Sequence, residues 1–299
     1  VRRDMNSSYR SLLIVAVPPI VCSLIVLTLA SVGRVVWVTH LVAIFLACCL
    51  AFAGSHTSKP GYRKITASAI VILVLIVLVI PLLGDSSEPK RWISVGPLRL
   101  YIAPLLLPSF IAACAIFVSK DGKQEIVPLA AVLGAAMLLS LQPDASQVLG
   151  LLVASLVVAV QRQLGAFRTG VVVFPLVLIT MWTFSLPDPL APVPHVEEVF
   201  ALGLGHSLFA GVAVISSAIA LIVGLWIQSA RGHSSLSAVA AYYAALFVCS
   251  TAGITPAPLV GYGAGPILGF GLMVGLLAWI EPQQPPNKSM QPTAGAAAD

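Results

Sequence analysis

The sequence predicts an all-α polytopic membrane protein with about ten transmembrane helices. The 299-residue chain is 59% hydrophobic and only 9% charged, with a mean hydropathy of +1.01, whereas soluble domains carry about 25% charged residues. Apolar runs of roughly 20 residues, the length that crosses a bilayer as a helix, recur along the whole chain. The charges lie almost entirely in the short segments between these runs.

Ten spans account for the apolar runs. They cover residues 11–32, 35–53, 65–83, 100–118, 126–141, 148–164, 170–186, 199–226, 236–254 and 265–280. The fifth and seventh spans are short for a bilayer, and the eighth is long enough to tilt or to project from the membrane.

An even number of spans places both termini on the same side of the membrane. That side carries twelve of the sixteen basic residues, and the opposite side keeps only Arg34, Lys90, Arg91 and Arg99. The positive-inside rule makes the basic side cytoplasmic. We therefore expect a multi-pass protein of the cytoplasmic membrane with both termini inside. Residues 1–280 would form one membrane domain, and residues 281–299, rich in Pro, Gln, Ala and Gly, a disordered cytoplasmic tail.

The basic residues, the cysteines and the ionisable residues near the bilayer midplane argue against nucleic-acid binding, a metal or disulfide site, and transport. The basic residues are spread over short loops, so the net charge of +5 reports membrane topology and does not indicate nucleic-acid binding. The five cysteines all lie within apolar runs, without the spacing of a metal site or a disulfide framework. Ionisable residues near the bilayer midplane, which secondary transporters use, are limited to His40 and His206.

The uncommon polar residues collect on the predicted outer side. Six of the eleven acidic residues fall there: Asp85, Glu88, Asp144, Asp188, Glu197 and Glu198. The segment 187–211 combines four prolines with ionisable residues, and such a segment cannot lie in lipid. We expect a water-facing loop that enters a helix near Val199, and this loop is the best candidate for chemistry.

A second outer segment, 84–100, reads GDSSEPKRWISVGPLRL. Lys90, Arg91 and Arg99 flank Trp92, and Gly96–Pro97 is typical of a turn. Cations beside an aromatic ring could bind a phosphate or pyrophosphate group. The alternative is a solvated loop anchored at the membrane interface.

Two further outer segments carry candidate residues. In the segment 141–147, LQPDASQ, Asp144 either caps the following helix or contributes to a site. The segment 253–266, GITPAPLVGYGAGP, has a backbone rich in proline and glycine that can turn sharply and expose N–H groups to a ligand. Re-entrant packing is the other interpretation of this segment.

Taken in order, these motifs resemble those of the SEDS family (shape, elongation, division and sporulation; the FtsW, RodA and SpoVE type). The family's basic-Arg-Trp-Ile and Gly-Pro-Leu-Arg motifs stand here as residues 90–93 and 96–99, and its Gln-Pro-Asp turn stands as residues 142–144. Its His-Thr-Asp-Phe-Ile-Phe-Ala entry to the eighth helix is similar to residues 195–201. Its Ser-Tyr-Gly-Gly-Ser stretch is similar to residues 258–265.

This resemblance implies a divergent peptidoglycan glycosyltransferase that polymerises lipid II on the outer face of the bacterial cytoplasmic membrane, in cell division or cell-shape maintenance. It also implies a class B penicillin-binding protein as partner. The family's catalytic acid falls on Glu197, with Glu198 one position away as the alternative. The residues expected to bind substrate are Lys90, Arg91, Trp92, Arg99, Asp144, His195 and Tyr262. A divalent cation such as Mg²⁺ could assist, although no ligand cluster in the sequence demands one.

Two alternatives to this function stay open. The family's Gln-Pro-Ser-Glu stretch is replaced here by residues 101–104, and its Glu-Glu pair by Gly205 and His206. The lost polar residues favour a non-catalytic SEDS-like scaffold that recruits a penicillin-binding protein. A lipid transporter is the second alternative, but it requires a polar path that the sparse midplane charge does not provide.

Overall fold

The computed structural model describes residues 2–57, 63–84, 90–95, 98–118, 126–187 and 191–280. Over these residues the protein forms eleven α-helices and one two-stranded ribbon. Helices α1 to α11 span Arg2–Leu29, Arg34–Thr57, Arg63–Val79, Ile102–Phe117, Ile126–Leu141, Ala145–Gln161, Ala166–Ser185, Val199–His206, Leu208–Ala230, Leu236–Thr251 and Ala264–Ile280. A 3₁₀ turn, Ile80–Leu83, follows α3, and strands β1 and β2 span Trp92–Val95 and Leu98–Tyr101. Asp85, Glu88, the Gly96–Pro97 turn, Asp188 and the tail 281–299 lie outside the described residues.

The predicted fold class is confirmed. Five stretches are long and apolar enough to cross a membrane by length and composition: Arg10–Leu29, Arg34–Gly54, Lys64–Leu83, Ala166–Ser185 and Leu208–Ala230. Five further apolar helices have between 10 and 17 residues. A helix pairs its backbone N–H and C=O groups within itself, which is why apolar runs of this kind fold as helices in lipid. Each of the ten predicted spans contains helix.

The prediction of a single eighth helix over 199–226 is wrong. Helix α8 ends at His206, and Ser207 is extended, with φ −167° and ψ 155°. The Ser207 hydroxyl accepts the Ala210 N–H at 3.1 Å and so caps the N-terminus of α9. Gly203 and Gly205 weaken the helix just before the break, because glycine has a low helix propensity.

The core lies around α4, α10 and α11. Most side chains of these three helices are buried, which is expected of helices that are apolar all round. The longer helices lie outside: only 17% of the apolar stretch of α7 and 22% of that of α2 are buried within the protein. The outer helices therefore present apolar side chains to the lipid.

Close packing of α2 on α11 depends on small residues. A Cβ on Gly275 would lie 2.5 Å from the carbonyl oxygen of Leu50, and one on Gly271 would collide with the carbonyl oxygen of Ala47. The Trp279 Nε1–H donates to the carbonyl oxygen of Gly54 at 3.0 Å. Small residues at a membrane helix interface allow backbones to approach closely, and here they bring two helices into direct backbone contact.

This interface gives a first prediction. Gly271→Ala would push α11 away from α2 and should lower the free energy of unfolding by about 1–3 kcal/mol, the usual cost of overpacking. Gly170→Ala is the matched control, because Gly170 is also helical and a Cβ there meets nothing within 4 Å. Thermal unfolding in detergent measures both. Equal unfolding temperatures for the two variants would contradict the packing described here.

Candidate functional site

An antiparallel ribbon leads the chain into α4. Strands β1 and β2 pair with Trp92 opposite Tyr101, and Arg99 lies opposite Ser94. Because side chains on paired strands alternate together, these four share one face of the ribbon. The Trp92 and Tyr101 rings stack with centroids 5.0 Å apart, and Arg99 is exposed. The sequence predicted a loop here, since four-residue strands are too short to show a clear alternation.

Arg91 holds the ribbon against the turn between α5 and α6. Its side chain is only 5% exposed. The guanidinium donates from Nε to the carbonyl oxygen of Gln142 at 2.9 Å and from Nη2 to the carbonyl oxygen of Pro143. The Gln142 side-chain amide donates to the carbonyl oxygen of Leu78 at 2.6 Å. The Gln-Pro-Asp turn is thereby tied to both the ribbon and the end of α3.

Asp144 is buried beside Arg91 and binds hydroxyl groups. The Tyr101 hydroxyl donates to Asp144 Oδ2 at 2.6 Å, and the Ser146 hydroxyl donates to Oδ1 at 3.2 Å. Asp144 stands at the N-cap position of α6 without a standard side-chain cap hydrogen bond, although the backbone of Gln147 in the first turn favours its charged form. Capping alone does not account for Asp144, because both of its carboxylate oxygens bind hydroxyl groups.

Burial also changes the acidity of this pair. It raises the pKa of the Asp144 carboxyl, an effect opposed by the Arg91 guanidinium and by the Tyr101 and Ser146 hydroxyls. Burial, with the adjacent Asp144 charge, raises the pKa of the Tyr101 hydroxyl well above its usual range. Tyr101 therefore stays a hydrogen-bond donor to the carboxyl across physiological pH.

The polar contacts continue from this turn into the core. The Tyr242 hydroxyl of α10 donates to Gln147 Oε1 in the first turn of α6 at 2.5 Å. Both side chains are buried. A Cβ on Gly150, one turn further along α6, would lie 2.5 Å from the Tyr242 ring, so the glycine makes room for this tyrosine.

The Glu197 carboxylate is fixed by its own loop. Glu197 Oε2 accepts the backbone N–H of Val193 at 2.8 Å, while the Val193 carbonyl oxygen accepts the N–H groups of Val196 and Glu197, each at 2.9 Å. These bonds close a compact turn just before α8. The predicted entry into a helix at Val199 is confirmed.

The Glu197 loop is held against the segment after α10. The Ser250 hydroxyl donates to the carbonyl oxygen of Glu197 at 2.9 Å. The N–H groups of Ala257 and Tyr262 donate to the carbonyl oxygens of Val196 and His195, at 3.0 and 2.8 Å. Two segments that are more than 50 residues apart in sequence thus form one backbone unit.

A small cleft of about 30 Å³ joins these parts. Its walls come from the ribbon, the Glu197 loop and the segment after α10. It is lined by Arg91, Trp92, Tyr101, Ala191, Pro192, Glu197, Gly253, Ile254 and Pro256. A carboxylate, a guanidinium and an indole, each predicted from the sequence to belong to a site, therefore meet at one place.

The overall fold of the chain is similar to that of a known protein. The chain is similar to the crystal structure of Thermus thermophilus rod shape determining protein RodA, with a TM-score of 0.66 and 20% sequence identity, over 89% of this chain and 95% of that chain. The chain has the RodA fold. A mutant of the same protein with Asp replaced by Ala gives a TM-score of 0.66 at 20% identity, over 89% and 96% of the two chains.

The chain is similar to a third solved structure as well. It is a chain from a peptidoglycan synthase complex, described as coordinating polymerization and crosslinking, with a TM-score of 0.67 and 19% identity over 89% of this chain and 96% of that chain. No protein-family model and no curated protein matches the sequence. The resemblance drawn from the motifs is confirmed by the fold.

The remaining predicted residues do not line the cleft. Lys90 is exposed and donates to the carbonyl oxygen of Leu82 at 3.2 Å. Glu198 is half-buried, and its carbonyl oxygen accepts the Leu202 N–H at 2.8 Å, in the first turn of α8. His195 and Tyr262 contact each other instead, with ring centroids 5.9 Å apart. Burial lowers the pKa of His195, so its imidazole is neutral at physiological pH.

The described residues near the cleft form no cluster of protein ligands for a divalent cation. Among the described residues there is no group of three His, Cys, Asp or Glu side chains close enough to bind one metal ion. The Asp144 carboxylate is occupied by the Tyr101 and Ser146 hydroxyls. Mg²⁺ is usually bound by one or two carboxylates together with waters and substrate phosphates, so the described residues provide no complete protein site for it, and Glu197 is the carboxylate that lines the cleft.

Sequence reasoning missed Tyr101 as a functional residue of this RodA fold. It appeared only as a replacement within a lost family motif, yet it lines the cleft and binds Asp144. The available signal was a tyrosine, whose hydroxyl usually finds a hydrogen-bond partner when buried, at the start of the predicted fourth span. Gln147 and Tyr242 were missed because their contact joins helices far apart in sequence.

The Tyr101–Asp144 hydrogen bond gives a second prediction. Tyr101→Phe keeps the ring but removes the donor, and should lower the free energy of unfolding by about 1–3 kcal/mol, because a buried carboxyl loses its partner. Tyr243→Phe is the matched control, since the Tyr243 hydroxyl is buried without a hydrogen-bond partner in the described part of the chain. Thermal unfolding in detergent compares them. Equal destabilisation by both changes would contradict the role given to the Tyr101 hydroxyl.

The raised pKa of Asp144 gives a third prediction. The folded protein binds this proton more tightly than the unfolded chain, whose carboxyl titrates near pH 3.9. The stabilisation from this group is therefore complete below about pH 4 and is lost as pH rises through the raised pKa of the folded state.

Asp144→Asn should remove this loss, because the amide does not ionise. The unfolding temperatures of wild type and variant are measured from about pH 4 to about pH 8. The unfolding temperature of the variant minus that of wild type should increase as pH rises. A constant difference across this range would show that Asp144 does not titrate as proposed.

Proposed function

We propose that this protein is a divergent SEDS-type peptidoglycan glycosyltransferase that polymerises lipid II on the outer face of the bacterial cytoplasmic membrane, in cell division or cell-shape maintenance. The observation that carries this proposal is the cleft in which Glu197 meets Arg91 and Trp92. The likeness to RodA, a rod shape determining protein, and to a chain of a peptidoglycan synthase complex supports the same function.

Glu197 acts as the general base in this proposal. A sugar hydroxyl attacks the anomeric carbon of the growing strand, and the carboxylate takes the hydroxyl proton as the new glycosidic bond forms. The bond from the anomeric carbon to the lipid pyrophosphate breaks in the same step, and the pyrophosphate leaves with the electron pair. The bond from Val193 N–H to Glu197 Oε2 holds the carboxylate in position.

The ribbon supplies the positive charge that the leaving pyrophosphate requires. Arg99 is exposed and lies on the same ribbon face as Trp92, where it can reach a phosphate. Arg91 lines the cleft while binding the carbonyl oxygens of Gln142 and Pro143. In this proposal Arg91 contributes mainly by orienting the turn and by the field of its charge, and Arg99 binds the pyrophosphate directly.

A class B penicillin-binding protein is the proposed partner. Polymerised strands require cross-linking, and a neighbour in structure comes from a complex described as coordinating polymerization and crosslinking. The basic-rich end of the bundle, with both termini, would face the cytoplasm, and the ribbon and Glu197 loop would then face outward.

A non-catalytic scaffold is the second candidate function, and the size of the cleft favours it. A volume of about 30 Å³ holds one or two water molecules, whereas lipid II presents a disaccharide. In a glycosyltransferase the disaccharide would extend beyond this cleft, or the Glu197 loop and the ribbon would separate on binding substrate. A scaffold requires no such movement and would recruit its partner in the conformation described here.

Replacement of Glu197 separates the two functions. Glu197→Gln keeps an oxygen for the Val193 N–H but cannot accept the proton, so lipid II polymerisation by the reconstituted protein with its partner should fall by about 10²- to 10⁴-fold. Glu198→Gln is the matched control and should retain polymerisation. Gel analysis of glycan strands made from labelled lipid II provides the measurement.

The other outcomes are equally informative. Loss of polymerisation in Glu198→Gln alone would move the general base by one residue. No polymer from the folded, partner-bound wild type would leave the scaffold as the function. Equal polymerisation by wild type and both variants would contradict a carboxylate base in this loop.

A further inference from the structure

A second, larger cavity lies at the opposite end of the bundle from the cleft. Its volume is about 240 Å³, and it is enclosed by α4, α5, α6 and α7. Cleft residues lie just before α4, whereas the cavity is lined near the C-terminal end of that helix, by Cys114 and Val118. On α5 and α7 the lining residues belong to the first two turns, beginning near Leu129 and Phe167. The predicted topology places this end at the cytoplasmic leaflet.

The interior of the cavity is aliphatic. Ile111, Val132, Leu151 and Val158 are typical of its walls. The Ser155 hydroxyl, which also lines it, donates to the carbonyl oxygen of Leu151 at 2.7 Å within its own helix. A polar ligand would therefore find few hydrogen-bonding groups inside. A hydrocarbon chain needs none, and it would pack against the apolar walls.

The mouth of the cavity opens toward the membrane and carries a positive charge. Phe167 is 85% exposed and Val171 is 44% exposed, and both line the opening at the start of α7. Arg168, exposed between them, is the charged residue among the described lining residues. Nearby, Arg162 Nη2 donates to the carbonyl oxygen of Ala115 at 3.0 Å and joins the end of α6 to the end of α4.

We propose that this cavity binds one acyl chain of an anionic phospholipid, with its phosphate held at Arg168. The aliphatic interior matches the acyl chain of such a lipid, and the cation at the lateral opening matches its phosphate. The volume is below the roughly 300–1,000 Å³ of pockets for drug-sized ligands and suits part of a single chain. Basic pockets between helices at the cytoplasmic side are a recognised way to bind anionic head groups.

The charge requirement is tested by native mass spectrometry of the purified protein with phosphatidylglycerol and with phosphatidylcholine of the same chains. Phosphatidylglycerol should bind more tightly, and Arg168→Gln should weaken it by about fivefold, the effect of one basic residue near an anionic lipid. Arg231→Gln is the matched control, because Arg231 is exposed at the same end of the bundle, after α9, and does not line the cavity. The affinity of the Arg231→Gln variant for phosphatidylglycerol should equal that of wild type.

The cavity itself is tested by filling it. Ser155→Phe should abolish the preferential binding of phosphatidylglycerol, and a phosphatidylglycerol with a photoreactive group in its chain should label wild-type peptides within 151–172 but not those of this variant. A melting temperature close to that of wild type would show that Ser155→Phe is folded. Equal binding of both lipids, equal losses for Arg168→Gln and Arg231→Gln, or unchanged labelling in Ser155→Phe would each overturn the proposal.

Discussion

The end of the bundle that carries the cleft is organised by one buried guanidinium. Arg91 is 5% exposed, and a charge taken out of water destabilises the fold unless hydrogen bonds and an opposite charge replace its solvation. The carbonyl oxygens of Gln142 and Pro143 and the neighbouring Asp144 carboxyl provide these. The ribbon and the turn between α5 and α6 must therefore stay in contact, and this requirement fixes where α4 and α6 begin.

A series of hydrogen bonds connects the surroundings of Arg91 to Glu197, the proposed base. Asp144 binds the Tyr101 hydroxyl just before α4, and Gln147, in the first turn of α6, accepts a hydrogen bond from Tyr242 of α10. Helix α10 then carries Ser250, whose hydroxyl binds the carbonyl oxygen of Glu197. Helices α6 and α10 thus link the cation to the carboxylate. The geometry of the cleft therefore depends on the helix bundle as well as on the loops that line the cleft.

Sequence reasoning predicted what depends on local composition. The ten helical regions, the entry to α8 at Val199 and the candidate residues Arg91, Trp92 and Glu197 all followed from apolar runs, proline content and motif order. Contacts between distant segments did not follow. The bonds of Tyr101 and Tyr242 need the packed bundle, and the break at Ser207 was hidden because the apolar run continues across it. The position of Glu198 outside the cleft likewise depends on the turn closed by Val193.

A cryo-electron microscopy structure of the protein with the proposed penicillin-binding partner and bound lipid II tests the proposed site most directly. We expect the pyrophosphate beside Arg99 and Arg91, and a sugar hydroxyl within hydrogen-bonding distance of the Glu197 carboxylate, about 2.6–3.2 Å. The volume of the cleft would be larger than the value of about 30 Å³ described here. Lipid II bound elsewhere on the bundle would contradict the proposed site. In that case the cleft would be closed, and the Glu197 carboxylate would accept a hydrogen bond from the Val193 N–H and none from a sugar.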